Sequence, residues 1–167
     1  MSIKTIPIEN AEEVEALLRK HRFAGTSFRT NVASNDETVT APNGRVVLKK
    51  KILSDIRKEG PLFDAVVKHQ PWVEQLTLNK NLKCTRHTDR NDGESLIAFF
   101  GEFTGGGLFV ETPEGLEHLK EKGIWYQYNG RHPHWTEDFE GNRWSIVAYK
   151  NRSQNHLKTK HKNNIGR

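Results

Sequence analysis

Histidine and carboxylate side chains occur in this sequence at a spacing that suits a metal ion. His87 and Asp89 are two residues apart, and side chains at i and i+2 of an extended segment point to the same side. A histidine pair follows about 45 residues later, with His132 and His134 flanking Pro133. Two histidines and one carboxylate leave an open face on a non-haem Fe(II) ion. The sequence therefore predicts a metal site made of His87, Asp89 and one later histidine.

A basic side chain and a hydroxyl occur together in the last strand-like segment. Arg143 lies nine residues after His134, and Ser145 follows two residues later. Because side chains alternate along a strand, Arg143 and Ser145 would share one face. A guanidinium beside a hydroxyl is a good receptor for a carboxylate. We therefore expect a second substrate that carries a free carboxylate.

The order and spacing of these residues resemble the signature of the Fe(II)/2-oxoglutarate-dependent dioxygenases. That signature is HxD, then a distal histidine, then an arginine about ten residues on, often as RxS; here the pattern falls on His87, Asp89, His134, Arg143 and Ser145. Residues 101–108 resemble the F-x-G-G-x-L turn between the two metal-binding halves of that family. The resemblance covers about residues 76–150 and implies a double-stranded β-helix, a jelly-roll or cupin-like barrel.

The resemblance also implies a reaction and roles for the residues. Its cofactors would be Fe(II), 2-oxoglutarate as co-substrate, and O2, with hydroxylation of a C–H bond and release of succinate and CO2. His87, Asp89 and His134 would be the catalytic metal ligands. Arg143, assisted by Ser145, would hold the far carboxylate of 2-oxoglutarate. One of two asparagines ahead of HxD, Asn79 or Asn81, is a candidate hydrogen-bond donor to the same molecule.

The choice of distal histidine depends on spacing to the arginine. His134 has the spacing to Arg143 that is usual in the family. His132 is held extended by the following proline, and we interpret it as a residue that faces the substrate or supports the site.

The residues around the predicted ligands indicate a class of substrate. Residues 81–91, 128–134 and 139–143 resemble a compact group similar to the TET and base-J dioxygenases, which oxidise the 5-methyl group of pyrimidines in nucleic acid. The resemblance is to a small microbial or viral form of that group. DNA or RNA would then be a partner, and four side chains flanking the ligands are substrate-binding candidates: Arg86, Arg90, Arg131 and His132.

The same residues also allow other interpretations. One keeps the chemistry and changes the substrate to a protein side chain or a small molecule. Another keeps the fold without the oxygenation, as a non-catalytic cupin-like protein with similar ligands. A third is a non-catalytic nucleic-acid-binding module whose histidines and aspartate are surface residues. Cupin-like isomerases and binding proteins do not need a carboxylate-binding arginine on the last strand, so Arg143 argues against them.

The positive charge of the chain is concentrated at one end. The net charge is +5 over 167 residues, and six of the 26 basic side chains lie in residues 150–167, which hold no acidic residue. The first 149 residues therefore carry 20 basic and 21 acidic side chains. We expect one dioxygenase domain over residues 1–150 and a basic, partly disordered tail over 151–167 that could attract phosphates.

Composition also excludes several classes of protein. No apolar stretch is long enough for a transmembrane helix, and no secretory signal is present, so we expect an intracellular protein with no membrane partner. Cys84 is the single cysteine, which excludes a disulfide framework or a cysteine-based metal cluster held by one chain. The oligomeric state is left open.

The elements that must position the site are predicted to form an α+β fold. A helical N-terminal part over residues 1–72 would pack as a layer on a jelly-roll core over 73–150. Helices are predicted over 11–20, with Asn10 as cap, and over 61–69. We expect a mobile loop over 24–44, a brief helix or loop over 114–121, and strands over 46–48, 75–83, 95–100, 108–110, 124–128 and 143–149.

Overall fold

The computed structural model describes residues 3–23, 38–40, 46–48 and 53–151. Within these ranges the elements follow the chain as β1 (Lys4–Pro7), α1 (Ala11–Lys20), β2 (Thr38–Thr40), β3 (Val46–Leu48), β4 (Leu53–Arg57), α2 (Pro61–Val67), β5 (Gln75–Lys80), β6 (Asp92–Gly105), β7 (Leu108–Thr112), β8 (Gly115–Leu119), β9 (Ile124–Tyr128), β10 (His134–Thr136) and β11 (Phe139–Lys150). Strand thus dominates the described part of the chain, and both predicted helices are confirmed.

Two antiparallel sheets enclose the interior. The larger has the strand order β1-β9-β6-β11-β5-β4, and the smaller has the order β10-β7-β8. Apolar side chains from both sheets meet between them, among them Phe99 of β6 and Val110 of β7, which are both fully buried. This is the predicted double-stranded β-helix.

The continuous apolar run of β6 is explained by burial on both faces. Ile97 and Phe99 point into the space between the sheets, whereas Leu96 and Ala98 pack on the opposite face with the two helices. A strand buried on both faces loses the alternation of apolar and polar residues. β6 lies in the interior of the larger sheet, between β9 and β11.

Asn10 precedes α1, as predicted, but its side chain makes no capping hydrogen bond to the helix. Its amide instead donates to Glu13 Oε1 and to the carbonyl oxygen of Ala65, both at 2.8 Å. Ala65 belongs to α2, so the side chain connects the two helices. The acidic residues Glu12 and Glu13 still favour the start of α1 through the helix dipole.

The N-terminal helical layer is smaller than predicted. Strands β1 and β4 also come from the first 72 residues, and they form the two edges of the larger sheet.

The short helix or loop expected over 114–121 is wrong, because Gly115–Leu119 pairs with β7 as strand β8. Leu116 and Leu119 are three residues apart, which matches a helical period, but Leu116 is exposed and only Leu119 is buried.

Two predictions fall outside the described residues. The mobile loop over 24–44 lies outside them except for β2, which pairs with β3 as a short hairpin, and the basic tail lies outside them beyond residue 151. Neither helix found in the described ranges has the length and apolar character needed to cross a membrane.

Candidate metal centre and anion pocket

The three predicted metal ligands meet at one point. The nearest donor atoms of His87, Asp89 and His134 all lie within 4.8 Å of one another. His134 Nε2 is 3.2 Å from Asp89 Oδ2, and His87 Nε2 is 3.6 Å from Asp89 Oδ1. The side chain of His134 is buried, whereas those of His87 and Asp89 are partly exposed. The two imidazoles and the carboxylate thus converge as a metal site requires.

Backbone pairing places the two histidines side by side. His87 and His134 form an isolated antiparallel bridge outside the main sheets, and they exchange hydrogen bonds in both directions, at 3.0 and 2.9 Å. Asp89 is fixed by its N–H, which donates to the carbonyl oxygen of Gly130 at 2.7 Å. A Cβ at Gly130 would stand 3.3 Å from Asp89 Oδ2, so the turn residue leaves room for the carboxylate.

Each histidine presents the same ring nitrogen to the site. His87 Nδ1 lies 2.6 Å from the carbonyl oxygen of Thr85, and His134 Nδ1 lies 2.8 Å from that of His132. A carbonyl only accepts hydrogen bonds, so each Nδ1 carries the proton, and Nε2 of the neutral ring keeps its lone pair. Hydrogen bonds from the ring nitrogen that does not face the metal orient histidine ligands in metal sites. The residues present therefore fit a divalent metal ion.

A tyrosine stands close to this centre without having been predicted for it. Tyr128 is almost fully buried, and its ring meets that of His134 edge to face at 5.5 Å between centroids. Burial, followed by the charge of Asp89, raises the pKa of Tyr128 well above its ordinary value. The phenol is therefore neutral at physiological pH and adds no negative charge to the carboxylate side of the site.

The metal centre opens into a cavity of about 690 Å³. Its wall contains the three candidate ligands, Tyr128, and the inward side chains of β11, namely Arg143, Ser145, Val147 and Tyr149. The alternation along β11 that the sequence indicated thus directs this row of side chains to one space. The three candidate ligands and Arg143 thus border the same cavity.

Arg143 lies inside the cavity wall with little contact to solvent. It is 2% exposed. Its Nε donates to the carbonyl oxygen of Gly106 at 2.6 Å, and Nη1 donates to that of Leu82 at 3.4 Å. No carboxylate in the described part of the chain forms an ion pair with Arg143. Burial lowers the pKa of Arg143 to about 10, although the charges of Cys84 and Glu137 act in the opposite direction, so the guanidinium is charged at neutral pH.

Gly106 makes room for that guanidinium. Its φ is +76°, and a Cβ there would lie 2.8 Å from the ring of Phe103 and 3.1 Å from Arg143 Cδ. The residue belongs to the glycine-rich turn between β6 and β7. The glycine-rich motif therefore allows the carbonyl group of Gly106 to approach Arg143.

The two asparagines ahead of the HxD motif have different surroundings. Asn79 lines the cavity, and its Nδ2 donates to Ser145 Oγ at 3.3 Å. Asn81 is buried outside the cavity wall, with φ of +55°. Its Oδ1 accepts the N–H of Arg143 at 2.9 Å, and its Nδ2 donates to Asn142 Oδ1 at 3.2 Å. The structure thus uses the Asn81 amide to hold the backbone of Arg143, and not as a wall of the cavity.

The predicted substrate-binding residues are only partly brought together. Arg90 is exposed and lines the cavity. Arg86 is exposed, lies outside the wall, and forms an ion pair with Glu111 at 2.6 Å. Arg131 is also exposed, with Nη2 at 3.9 Å from Asp92 Oδ1. His132 lies outside the wall as well, with a buried Nδ1 that has no hydrogen-bond partner among the described residues.

Ser54 is a further wall residue that the sequence analysis did not single out. It lies in β4, is buried, and donates to Asn79 Oδ1 at 2.8 Å. A lone serine in a segment without a motif carries no signal of its own. Its position becomes visible only through the register that pairs β4 with β5.

Comparison with solved structures gives the class of fold. No family model matches the sequence, and no curated protein is significantly similar to it. A 2OG-Fe(II) oxygenase family oxidoreductase from Burkholderia pseudomallei has a TM-score of 0.60 at 14% identity, over 91% of this chain and 89% of that one. A prolyl-4-hydroxylase from Pseudomonas putida has a TM-score of 0.56 at 15% identity, over 91% and 93%.

These likenesses show that the chain has the fold of 2OG-Fe(II) oxygenases. At 14 and 15% identity they establish the fold alone. A complex of NgTET1 with 5mC DNA matches at a TM-score of 0.40 over 54% of this chain and 42% of that one, which is too low to support an argument. The finer likeness to the TET and base-J group is therefore not confirmed by structure.

Proposed function

We propose that this protein is an Fe(II)- and 2-oxoglutarate-dependent dioxygenase that hydroxylates a C–H bond. One observation carries the proposal. The converging ligand atoms of His87, Asp89 and His134 share a cavity with Arg143, a buried guanidinium without a carboxylate partner among the described residues. A metal site and an anchor for a carboxylate in the same cavity are what a chelating oxo-acid requires.

The iron would supply a coordination site for 2-oxoglutarate and O2, so that one oxygen atom enters the substrate and the other enters succinate as CO2 leaves. The protein's part is to hold and orient. His87, Asp89 and His134 would occupy one face of the ion. Arg143 would receive the far carboxylate of 2-oxoglutarate and form an ion pair with it. Charge-assisted hydrogen bonds of this kind are about twice as strong as neutral ones.

We further propose that the hydroxylated group is the methyl group of a pyrimidine in nucleic acid. Three features support this substrate: the resemblance around the ligands, the basic residues 150–167, and Arg90 at the cavity. A base within a duplex would have to be flipped out to reach the metal. Arg90 is exposed beside the metal ligands, where it can contact a phosphate next to such a base.

The same chemistry on a protein side chain is the second candidate. The Pseudomonas putida neighbour is a prolyl-4-hydroxylase with a similar fold, and the cavity wall contains apolar groups such as Val147 beside its polar ones. This candidate predicts turnover with peptides and none with nucleic acid. A small-molecule hydroxylase would show turnover with free nucleosides or metabolites only.

The class of reaction is tested by binding and by turnover. With Fe(II) and 2-oxoglutarate added under anaerobic conditions, we expect a weak visible charge-transfer band and a higher melting temperature. With oxygen, succinate release should depend on the substrate in a panel of methylated and unmethylated DNA, RNA, free nucleosides and peptides, with products identified by mass spectrometry. Equal succinate release without any nucleic acid would exclude the nucleic-acid assignment.

A matched pair of histidine variants tests the ligand set. His134→Ala should abolish the charge-transfer band and turnover, because it removes the buried imidazole that faces Asp89. His132→Ala changes a histidine two residues away whose ring is not among the converging ligand atoms, and it should retain the band. If neither iron nor 2-oxoglutarate changes the melting temperature of the wild-type protein, the non-catalytic alternative is supported and the proposal fails.

A further inference from the structure

A row of hydrogen-bonded side chains crosses the sheet behind the anion pocket. Ser54 of β4 lies opposite Asn79 of β5, and Asn79 lies opposite Ser145 of β11. Ser54 Oγ donates to Asn79 Oδ1 at 2.8 Å, and Asn79 Nδ2 donates to Ser145 Oγ at 3.3 Å. These residues are 5%, 7% and 2% exposed, respectively, and all of them line the cavity.

The bond from Ser54 favours one orientation of the Asn79 amide and so one direction of donation along the row. A carboxamide has one accepting end and one donating end. Because the Ser54 hydroxyl occupies the accepting end of Asn79, the donating end faces Ser145. A hydroxyl that accepts a hydrogen bond from Asn79 keeps its own O–H for another acceptor. Ser145 is two residues from Arg143 on the same strand face, so this O–H is available to an anion bound at Arg143.

We infer that Ser54 is a positioning residue for the bound carboxylate, acting through Asn79 to aim the O–H of Ser145 at the anion held by Arg143. The inference rests on the proposed function, since it takes the far carboxylate of 2-oxoglutarate as that anion. Ser54→Ala removes a bond that favours this orientation of the Asn79 amide; in the opposite orientation, Asn79 Oδ1 would accept the Ser145 proton. Ser145 would then present a lone pair to the carboxylate, and the pocket would lose a donor.

The inference gives the N-terminal part of the chain a role in binding. β4 is an edge strand of the larger sheet and comes from the first 72 residues, where no sequence motif was found. Ser54 does not touch the metal ligands in the hydrogen bonds described above. Its effect should therefore be specific to the carboxylate end of the ligand and absent at the metal end.

The test compares two ligands of the full-length protein loaded with Mn(II) in the absence of oxygen. 2-Oxoglutarate reaches both the metal and Arg143, whereas oxalate can chelate the metal but is too short to reach the arginine. Ser54→Ala should weaken 2-oxoglutarate binding about five-fold, the worth of one hydrogen bond, and leave oxalate binding unchanged. Ser54→Thr, which keeps a hydroxyl, should restore the 2-oxoglutarate affinity.

Two further variants make the outcome decisive. Asn79→Asp, whose carboxylate accepts from both serines, should weaken 2-oxoglutarate by more than about ten-fold and spare oxalate, which keeps the test available if Ser54→Ala does not fold. Ser95→Ala is the control, because Ser95 is a buried serine hydrogen-bonded by Asn91 and lies outside the cavity wall; it should change neither affinity.

The possible failures are distinguishable. Wild-type affinity for 2-oxoglutarate in both Ser54→Ala and Asn79→Asp would overturn the inference while leaving the proposed function intact. A parallel loss of 2-oxoglutarate and oxalate would also overturn it, since that result indicates general damage to the site. Absence of 2-oxoglutarate binding by the wild-type protein would instead overturn the proposed function.

Discussion

Asn81 holds the backbone of Arg143 at both of its polar groups. The N–H of Asn81 donates to the carbonyl oxygen of Arg143 at 2.7 Å, and the N–H of Arg143 donates to Asn81 Oδ1 at 2.9 Å. Asn81 can do this because it lies just after β5 with a positive φ, a conformation that asparagine adopts more readily than most residues. The proposed carboxylate anchor is thus set in place from a neighbouring strand.

Asn81→Gly tests this backbone clamp. Glycine accepts the positive φ without strain but removes the acceptor for the buried N–H of Arg143, so we expect a loss of about 1–2 kcal/mol in the free energy of unfolding. 2-Oxoglutarate affinity should fall as well, because Arg143 gains freedom. Asn142→Ala removes the other partner of the Asn81 amide and is the control. An equal loss in Asn142→Ala would contradict the clamp.

Arg143→Met is expected to separate stability from binding. Burial lowers the pKa of Arg143 to about 10, which corresponds to a cost on the order of 3 kcal/mol for the charged form in the ligand-free protein. Methionine removes that cost and also loses the bonds to two carbonyls, so the free energy of unfolding should stay within about 2 kcal/mol of wild type.

The same variant should no longer be stabilised by 2-oxoglutarate. Chemical denaturation with and without 2-oxoglutarate and Mn(II) measures both quantities. Undiminished stabilisation by the ligand in Arg143→Met would place the carboxylate elsewhere.

Gly106→Ala should displace Arg143 as well as strain the turn. Gly123 has the same φ of +76° but no atom within 4 Å of the place a Cβ would take. Gly123→Ala therefore measures the cost of the backbone conformation alone, about 1 kcal/mol. We expect Gly106→Ala to cost more than that and, unlike Gly123→Ala, to weaken 2-oxoglutarate binding. Matching losses in both variants would show that contact with Arg143 is unimportant.

Removal of residues 151–167 should leave 2-oxoglutarate binding unchanged, because the candidate metal ligands, Arg143 and Ser145 all lie earlier in the chain; of the described cavity residues it removes only Asn151. Binding to an oligonucleotide should weaken, and its dependence on salt should become less steep, since each phosphate contact contributes to the slope. Titrations at several salt concentrations measure this. Substitution of the basic residues by glutamine in the full chain distinguishes charge from length; unchanged affinity would show that these residues do not bind nucleic acid.

The sequence predicted each pair of groups because its signal is local. His87 and Asp89 are two residues apart in an extended segment, and Arg143 and Ser145 are two residues apart on one strand, so the period of two places each pair on one face. The choice of His134 as the third ligand came from the family resemblance. The same period of two places Asn79 and Asn81 on one face of the strand and so does not distinguish their surroundings. The chain leaves the extended conformation at Asn81, and its side chain therefore turns from the cavity towards Arg143.

Other features depend on partners far along the chain. Ser54 enters the cavity wall only because β4 pairs with β5 in one register, and no residue near Ser54 indicates that pairing. The segment that forms β8 was predicted as a brief helix or loop over 114–121. Pairing with β7 decided its structure, since an edge strand that buries only Leu119 and leaves Leu116 exposed has little pattern to recognise.

The bridge between His87 and His134 has a consequence for how the protein would open. His134 belongs to the smaller sheet, whereas His87 lies in the segment that connects β5 to β6 of the larger sheet. An ion bound by both would join the smaller sheet to this connecting segment, and separating them would first require a ligand to dissociate. Loading with metal should therefore slow amide hydrogen exchange in β7 and β10 more than in α1, which lies on the far side of the larger sheet.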